Sequence, residues 1–142
     1  MKFGLIGEKL SHSYSKVIHE EVFKENNINA SYDLIETKEE GLKDLIEKLR
    51  KGEYLGFNVT IPYKEKIMQY LDQIDEDADQ IKAVNTIYIK DGIVHGTNTD
   101  YLGFIESIHH HSINLKSKKC MVLGTGGASK AICYSLDLLK AR

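Results

Sequence analysis

Four short segments of this chain combine side chains that can bind and act on a small polar molecule. Each contains hydroxyl or amide groups, and two of them add a charged residue, Lys64 in one and Asp100 in another. The segments are residues 11–15, 56–64, 83–86 and 96–100. Brought together, such groups suit a small acid with several hydroxyls, because a site built to hydrogen-bond hydroxyls discriminates sharply between ligands.

Each of these residues, taken alone, also fits a purely structural role. Ser13 or Ser15 suits the cap of a helix, where a hydroxyl accepts a free backbone N–H. Asn85 suits a turn, Asp100 suits the start of a helix, and Lys64 suits an exposed surface. The functional interpretation therefore depends on the segments converging in space.

A fifth segment is rich in glycine and suits an anion. Gly124, Gly126 and Gly127 follow the apolar residues 120–123 and precede an amphipathic stretch. The N–H groups at a helix start bind phosphate, and glycine lets the backbone approach it closely. Ser129 stands where the common GxGxxG pattern has its third glycine, so a strand-to-helix turn without a ligand is the competing interpretation.

The elements that must position these segments are predicted by apolar periodicity. Strands are predicted over residues 2–6, 30–35 and 55–59, and helices over 14–26, 38–50, 62–70, 75–82 and 99–109. Asp91-Gly92 predicts a two-residue turn that joins strands 86–90 and 93–96. This alternation predicts an α/β fold with a largely parallel sheet, and we expect the hairpin at one edge.

This order of elements predicts where the polar segments meet. In an open α/β sheet, ligands bind beyond the carboxyl ends of the strands. The four segments lie at predicted strand ends and helix starts, so we expect them to converge at that edge.

The pattern restarts near residue 116 and gives the predicted domain organisation. Residues 1–100 form a substrate-binding and catalytic domain, 101–117 a connecting helix and linker, and 118–142 the beginning of a nucleotide-binding domain. The fold class is therefore α/β, a mixed, mostly parallel sheet flanked by helices, followed by the first strand-turn-helix of a Rossmann-like domain. A ribose-reading residue, roughly 20 positions after the glycine turn, would fall beyond residue 142. We therefore expect the nucleotide half to be incomplete.

Composition argues against several classes of protein. The net charge of -2 and the scattered Lys and Arg predict no nucleic-acid surface, and no apolar run predicts a membrane span. The first residues lack the apolar core of a signal peptide, so we expect a cytoplasmic protein. Cys120 and Cys133 are expected to be small buried thiols, without a disulfide. No metal site is expected, and none at His109–His111 either.

The four segments, in this order and followed by the glycine turn, resemble the shikimate dehydrogenase family. The resemblance covers residues 3–139, and five separate motifs agree in residue identity and spacing. The departures are Glu8 and Lys9 in a loop that often holds proline, Lys16 where proline is frequent, and Tyr101 where glycine is common.

The resemblance implies roles for particular residues. Ser13 and Ser15 match serines that bind the substrate carboxylate, and Lys64 and Asp100 match the catalytic pair. The implied substrate-binding residues are Ser13, Ser15, Thr60, Lys64, Asn85 and Asp100. The implied cofactor-binding residues are Gly124, Thr125, Gly126, Gly127, Ala128 and, more weakly, Glu76.

The family reaction is the reversible NADPH-dependent reduction of 3-dehydroshikimate to shikimate, a step in aromatic amino-acid biosynthesis. The implied cofactor is NADP, which we expect this chain to bind weakly or not at all, with little turnover. Two alternatives stay open: a shikimate-binding module without redox activity, and a quinate/shikimate dehydrogenase. Ser15 favours shikimate, as the family resemblance implies.

The C-terminal segment leads to a prediction about self-association. An apolar strand over residues 120–123 without neighbours is a template for pairing with another chain, and domain exchange is a low-cost route to a homodimer. We expect residues 118–142 to pair or swap between two copies, or to be disordered, unless the segment folds back on the first domain. Light scattering on residues 1–142 and on a form ending near Ser117 tests this. Two monomers with an ordered, protected C-terminal segment would contradict it.

Overall fold

Six strands form one mixed sheet in the computed structural model, which describes all 142 residues. The strands are β1 Lys2–Gly7, β2 Ser31–Glu36, β3 Gly56–Val59, β4 Gln73–Ile74, β5 Thr86–Lys90 and β6 Ile93–Thr97. The helices are α1 Ser15–Glu25, α2 Leu42–Arg50, α3 Glu76–Ile81, α4 Asp100–His110 and α5 Gly127–Leu138, with short 3₁₀ helices at Glu39–Gly41 and Lys66–Tyr70. None of these helices has the length and apolarity of a membrane span.

The strand order is β2-β1-β3-β5-β6-β4. β1 pairs in parallel with β2 and β3, and β5 runs antiparallel to both β3 and β6. The carboxyl ends of β1, β3 and β6 and the start of β5 therefore meet at one end of the sheet. This end is where the sequence places all four polar segments.

The hairpin forms at the turn predicted from the sequence, but it does not lie at the predicted edge of the sheet. Asp91 and Gly92 both have positive φ angles, 53° and 78°, as a two-residue hairpin turn requires. The expectation that the hairpin forms an edge is wrong, because β4 pairs in parallel with the outer side of β6. A strand of two residues is too short to show alternation in a sequence.

The main core lies between α2 and the sheet. Leu42, Leu45, Ile46 and Leu49 are buried, which confirms the apolar face predicted for this helix. They pack with buried side chains of the sheet, among them Phe57. Burying a side chain of this size contributes roughly 1.5–3 kcal/mol, so this face holds the sheet and its ends in place.

The segment after β3 is not the α-helix predicted over residues 62–70. The Ile61–Pro62 peptide bond is cis, and turns lead into the 3₁₀ helix Lys66–Tyr70. The carbonyl of Lys64 accepts the N–H of Val84 at 2.8 Å, so a distant residue takes the place of the i+4 partner of an α-helix. The buried Tyr63 also donates its hydroxyl to Thr37 O at 2.8 Å.

The start of α2 also differs in detail from the prediction. The α-helix begins at Leu42 and not at the predicted residue 38, and the hydroxyl of Thr37 donates to Lys38 O at 3.0 Å. A 3₁₀ turn over Glu39–Gly41 leads into α2 instead.

Residues 120–123 do not form the predicted strand. No strand of the sheet lies beside them, and the N–H of Cys120 donates to Arg142 O at 3.0 Å. Met121 and Leu123 are 84% and 88% exposed. Cys120 and Cys133 are exposed, so the expectation of buried thiols is wrong.

The helix that follows, α5, folds back on α3 and α4. It buries Ala131 and Ser135, whereas the more apolar stripe of Ile132, Leu136 and Leu139 stays partly exposed. Folding back was the alternative to pairing between copies, and self-association itself stays a prediction.

A charged contact fastens the outer part of the sheet. Both terminal nitrogens of Arg50 bind the Asp72 carboxylate at 2.8 Å, and Val94 N–H donates to the same carboxylate at 2.8 Å. The Arg50 hydrogen bonds, and then the Val94 N–H, lower the pKa of Asp72 to about 2. The carboxylate is thus stabilised in the folded state relative to the unfolded chain.

We predict that Asp72→Asn lowers the free energy of unfolding at pH 7. A lowered folded pKa contributes stability that is complete above the unfolded pKa near 4 and is lost as pH falls towards 2. The difference between wild type and variant should therefore shrink between pH 5 and pH 2. Urea unfolding at several pH values measures this, with Asp91→Asn at the exposed hairpin turn as the control. A constant difference across that range would contradict the prediction.

Candidate active site

Lys64 and Asp100 form an ion pair at the end of the sheet where the polar segments meet. The distance from Lys64 Nζ to Asp100 Oδ2 is 2.6 Å, and the two side chains are 14% and 32% exposed. Lys64 stands in the turn after Pro62, where Val84 N–H holds its carbonyl, and Asp100 begins α4. The fold therefore joins two charged residues that are 36 positions apart in the sequence.

Asn85 holds the second oxygen of the Asp100 carboxylate. Its Nδ2 group donates to Asp100 Oδ1 at 2.8 Å and to Thr99 Oγ1 at 2.9 Å. Its Oδ1 accepts the N–H of Thr99 at 2.8 Å, which fixes the orientation of the amide. Both carboxylate oxygens of Asp100 therefore have a donor, Lys64 on one and Asn85 on the other.

Asn98 is a residue that the sequence argument did not single out. Its side chain is fully buried, donates to Ala83 O at 2.8 Å and accepts the N–H of Asp100 at 2.9 Å. It thereby ties the start of α4 to the segment that carries Asn85. Its place directly before the helix predicted to start at residue 99, where an asparagine can satisfy a free N–H, was the available signal.

A row of polar side chains continues from Asn85 across the sheet. Thr86 Oγ1 donates to Asn85 Oδ1 at 3.1 Å, and Asn58 Nδ2 donates to Thr86 Oγ1 at 3.2 Å. Tyr32 closes the row with a hydrogen bond from its hydroxyl to Asn58 Oδ1 at 2.7 Å. Burial raises the pKa of Tyr32, so this hydroxyl stays a donor.

The serine loop follows β1 at the same end of the sheet. Ser13 and Ser15 are half-buried, and Ser13 Oγ accepts the N–H of Ser15 at 3.2 Å. The buried Leu10 fastens the loop, because its N–H donates to Glu36 Oε1 at 2.7 Å. Neither serine is hydrogen-bonded to Lys64 or Asp100.

Thr60 lies at the same end of the sheet, directly after β3. It is half-buried, and its N–H donates to Ile6 O at 2.9 Å. Like the serines, it shares this end of the sheet with Lys64 and Asp100 but makes no hydrogen bond to them.

The glycine turn approaches Lys64 directly. Gly126 precedes α5 and Gly127 is its first residue, and a Cβ at Gly127 would lie 3.1 Å from the Cβ atoms of both Lys64 and Ala83. Gly124 has a φ angle of 134°, which favours glycine. Gly124 thus adopts a backbone that other residues rarely adopt, and Gly127 approaches Lys64 so closely that a side chain there would require Lys64 to shift by a few tenths of an ångström.

Lys64 and the glycine turn share one cavity of about 360 Å³. Its lining includes Gly124, Gly126, Gly127 and Ala128. No side chain caps α5, so the N–H groups of its first turn are free to bind an anion.

Two of the predicted cofactor residues lie outside this cavity. Thr125 is exposed and is not part of the lining. Glu76, the first residue of α3, is also exposed, and its closest polar contact is with Gln80 Nε2 at 3.4 Å. The structure does not bring Glu76 to the glycine turn.

We predict that Asn98→Ala destabilises the chain and loosens the pairing of Lys64 with Asp100. The change leaves the carbonyl of Ala83 and the N–H of Asp100 without their partner, and each unsatisfied buried group costs about 1–3 kcal/mol. Urea unfolding measures the loss, and Asn29→Ala at an exposed position is the control. Equal stability of the two variants would show that Asn98 does not hold the site.

Comparison with protein families places these features in a known group. The sequence model of the family described as "shikimate dehydrogenase substrate binding domain" matches residues 5–87 of this chain. The shikimate dehydrogenase (NADP(+)) of Clostridium botulinum is 45% identical over 139 residues, which cover 98% of this chain and 54% of that protein. That of Clostridium beijerinckii is 49% identical over 136 residues, 95% of this chain and 50% of that protein.

Solved structures agree with these relatives. The shikimate dehydrogenase of Aquifex aeolicus superimposes with a TM-score of 0.94 at 37% identity, over 100% of this chain and 53% of that one. Shikimate dehydrogenase 1 of Peptoclostridium difficile gives a TM-score of 0.89 at 44% identity, over 96% and 51%. This chain thus spans about half the length of the proteins it matches. The α/β fold class and the family resemblance are both confirmed, and the chain belongs to the shikimate dehydrogenase family, whose substrate-binding domain it contains.

Proposed function

We propose that this chain binds shikimate and 3-dehydroshikimate and supplies the substrate side of an NADP-dependent shikimate dehydrogenase. The observation that carries the proposal is the Lys64–Asp100 pair, 2.6 Å apart, whose lysine lines the same cavity as a glycine turn. The names of the relatives, shikimate dehydrogenase (NADP(+)), support it. A related structure from Thermus thermophilus is described as a complex with NADP(H) and shikimate.

The glycine turn fits the diphosphate of a nucleotide cofactor. The uncapped start of α5 offers free N–H groups, and the residues that would hold the diphosphate are Gly124, Gly126, Gly127 and Ala128. When bound, NADPH supplies the hydride for the reduction of a ketone. Thr125 and Glu76 lie outside the cavity. Either residue contacts the cofactor only if the bound cofactor extends beyond this cavity.

Lys64 serves as the proton donor to the oxygen of the reacting carbonyl. An ammonium group has three N–H donors, and Asp100 takes one of them, which leaves two for oxygens of the substrate. Donors already aimed at the place where negative charge develops stabilise the transition state. In the direction of reduction Lys64 gives a proton to the forming alkoxide, and in oxidation it takes the proton back.

Asp100 and Asn85 orient Lys64. The hydrogen bond of 2.6 Å from Lys64 Nζ to the Asp100 carboxylate fixes the direction of the lysine side chain. Both hydrogens of Asn85 Nδ2 are used within the protein, on Asp100 and Thr99. Asn85 therefore acts mainly through Asp100, and it contacts a substrate hydroxyl only by giving up one of these bonds.

Ser13, Ser15 and Thr60 complete the substrate side. The two serines offer hydroxyl groups to the carboxylate of the substrate, and Thr60 offers one to its ring hydroxyls. All three are half-buried at the end of the sheet where Lys64 lies. Their position after β1 and β3 supports this assignment.

We predict that Lys64→Ala separates binding from catalysis. Because Lys64 acts on charge that develops in the transition state, shikimate-dependent reduction of NADP⁺ should fall by about 10²–10³-fold or more. The Kd for shikimate, measured by calorimetry on the 142-residue chain, should rise by less than about tenfold. Because little turnover is expected of the 142-residue chain alone, turnover is measured on a longer form of the protein that reduces NADP⁺.

The controls separate the alternatives. Lys43→Ala changes an exposed lysine on α2 and should leave both measurements unchanged. Quinate, tested beside shikimate, should bind more weakly. Intact turnover in Lys64→Ala, with only KM raised, would reduce Lys64 to a binding residue. Absence of shikimate binding in the wild type would overturn the proposed function itself.

A further inference from the structure

Three helices meet at a single carboxylate that the proposed mechanism does not use. Asp77 on α3 accepts the hydroxyl of Tyr101 on α4 at 2.6 Å, through Oδ2. Its other oxygen, Oδ1, accepts the hydroxyl of Tyr134 on α5. We call these three side chains the Asp77 clamp.

The Asp77 clamp lies over the contact that holds α5 in place. The rings of Tyr101 and Tyr134 meet edge to face, with centroids 5.3 Å apart and planes at 86°. Beneath them Ala131 is fully buried with Ile81 and Ala83. Ser135, also fully buried, donates its hydroxyl to Tyr101 O at 3.1 Å.

The hydrogen bonds of the clamp are of the charge-assisted kind. Those from Tyr101 and Tyr134 lower the pKa of Asp77, and the bond to Asp77 raises the pKa of Tyr101 to about 12. The carboxylate is therefore ionised and the hydroxyls protonated around neutral pH. Such bonds are stronger than those between neutral groups.

Both helices that the clamp holds begin at the candidate site. Tyr101 directly follows Asp100 at the start of α4, and α5 begins with Gly127, which abuts Lys64 and Ala83. The remaining ion pair that ties α5 to the Lys64 segment, Lys130 with Glu65, is partly exposed at 35% and 45%. An exposed ion pair contributes little, so the clamp and the buried Ser135 hydroxyl are the main polar contacts of α5 with α3 and α4.

We propose that Asp77, by holding Tyr101 and Tyr134 together, positions the glycine turn against Lys64. Asp77 is thus a positioning residue, and its significance for catalysis rests on the proposed function. Without the clamp, α5 separates from Lys64 while the pairing of Lys64 with Asp100 stays.

The accessibility of the Lys64 side chain tests whether Asp77 holds the glycine turn against it. Its side chain is 14% exposed, with Gly127 packed against it, so its rate of acetylation by a small acylating reagent reports the position of α5. We expect Tyr134→Phe and Asp77→Ala to raise the acetylation rate of Lys64 by about tenfold or more, because a hydrogen bond to a charged group corresponds to an equilibrium factor of roughly ten to a hundred. The exposed Lys43 and Lys90 should keep their rates.

Matched variants separate positioning from general loss of stability. Asp77→Asn keeps one carbonyl oxygen and should give an intermediate rate. Tyr88→Phe removes a tyrosine hydroxyl outside the clamp, where the ring stacks on His95, and should change nothing. Amide exchange should rise in residues 124–138 and stay constant in β2. A Lys64 rate that Asp77→Ala leaves unchanged, or exchange that rises throughout the chain, would overturn the inference.

Ligand binding distinguishes failure of this inference from failure of the proposed function. In Tyr134→Phe any measurable affinity of the wild-type chain for NADP⁺ should fall, while the Kd for shikimate stays the same. If the wild-type chain binds neither ligand, the proposed function fails, and the acetylation rates still decide whether the clamp positions α5. If both affinities fall equally, the clamp supports the whole domain and the positioning role is wrong.

Discussion

The carboxylate of Asp100 is the group on which the arrangement of the site depends. It is partly buried, and a charge in that position is stable only if nearby donors replace the water it has lost. Lys64 and Asn85 supply those donors on opposite oxygens, at 2.6 and 2.8 Å. Because they come from separate segments, the turn after β3, the start of β5 and the start of α4 must all meet for the charge to be satisfied.

Features set by neighbouring residues were predictable from the sequence. The apolar face of α2 follows from the spacing of Leu42, Leu45, Ile46 and Leu49, and the hairpin turn follows from Asp91-Gly92. The convergence of the polar segments also followed, because the carboxyl ends of parallel strands meet at one end of a sheet. For the helix face and the hairpin turn, residues a few positions apart determine the structure, whereas the convergence of the segments follows from the pairing of the strands.

Features set by distant partners were not predictable. Residues 62–70 have the composition of a helix, but the carbonyl of Lys64 bonds to Val84 instead of to its own helical turn. Asn98 resembles any loop asparagine until its two partners, Ala83 and Asp100, are known. The two residues of β4 form a strand by pairing with the outer edge of β6, which lies about 20 positions later in the sequence. Residues 120–123 form an apolar run that lacks a neighbouring strand to pair with, and they do not form a strand.

The two parts of the candidate site are joined by helix contacts and not by the chain that connects them. Residues 111–126 contain no helix or strand, and the backbone N–H groups of Ser117 and Cys120 donate to residues after α5 and not to the sheet. The glycine turn is instead held by the burial of Ala131 and by the hydrogen bonds that converge on Asp77. Gly127 then lies against Lys64 because glycine has no Cβ to keep the two apart. A hydride donor held by this turn and a proton donor at Lys64 would therefore have their separation set by the packing of α3, α4 and α5. This arrangement explains why the side chains that control the geometry of the site lie outside the cavity in which the chemistry would occur.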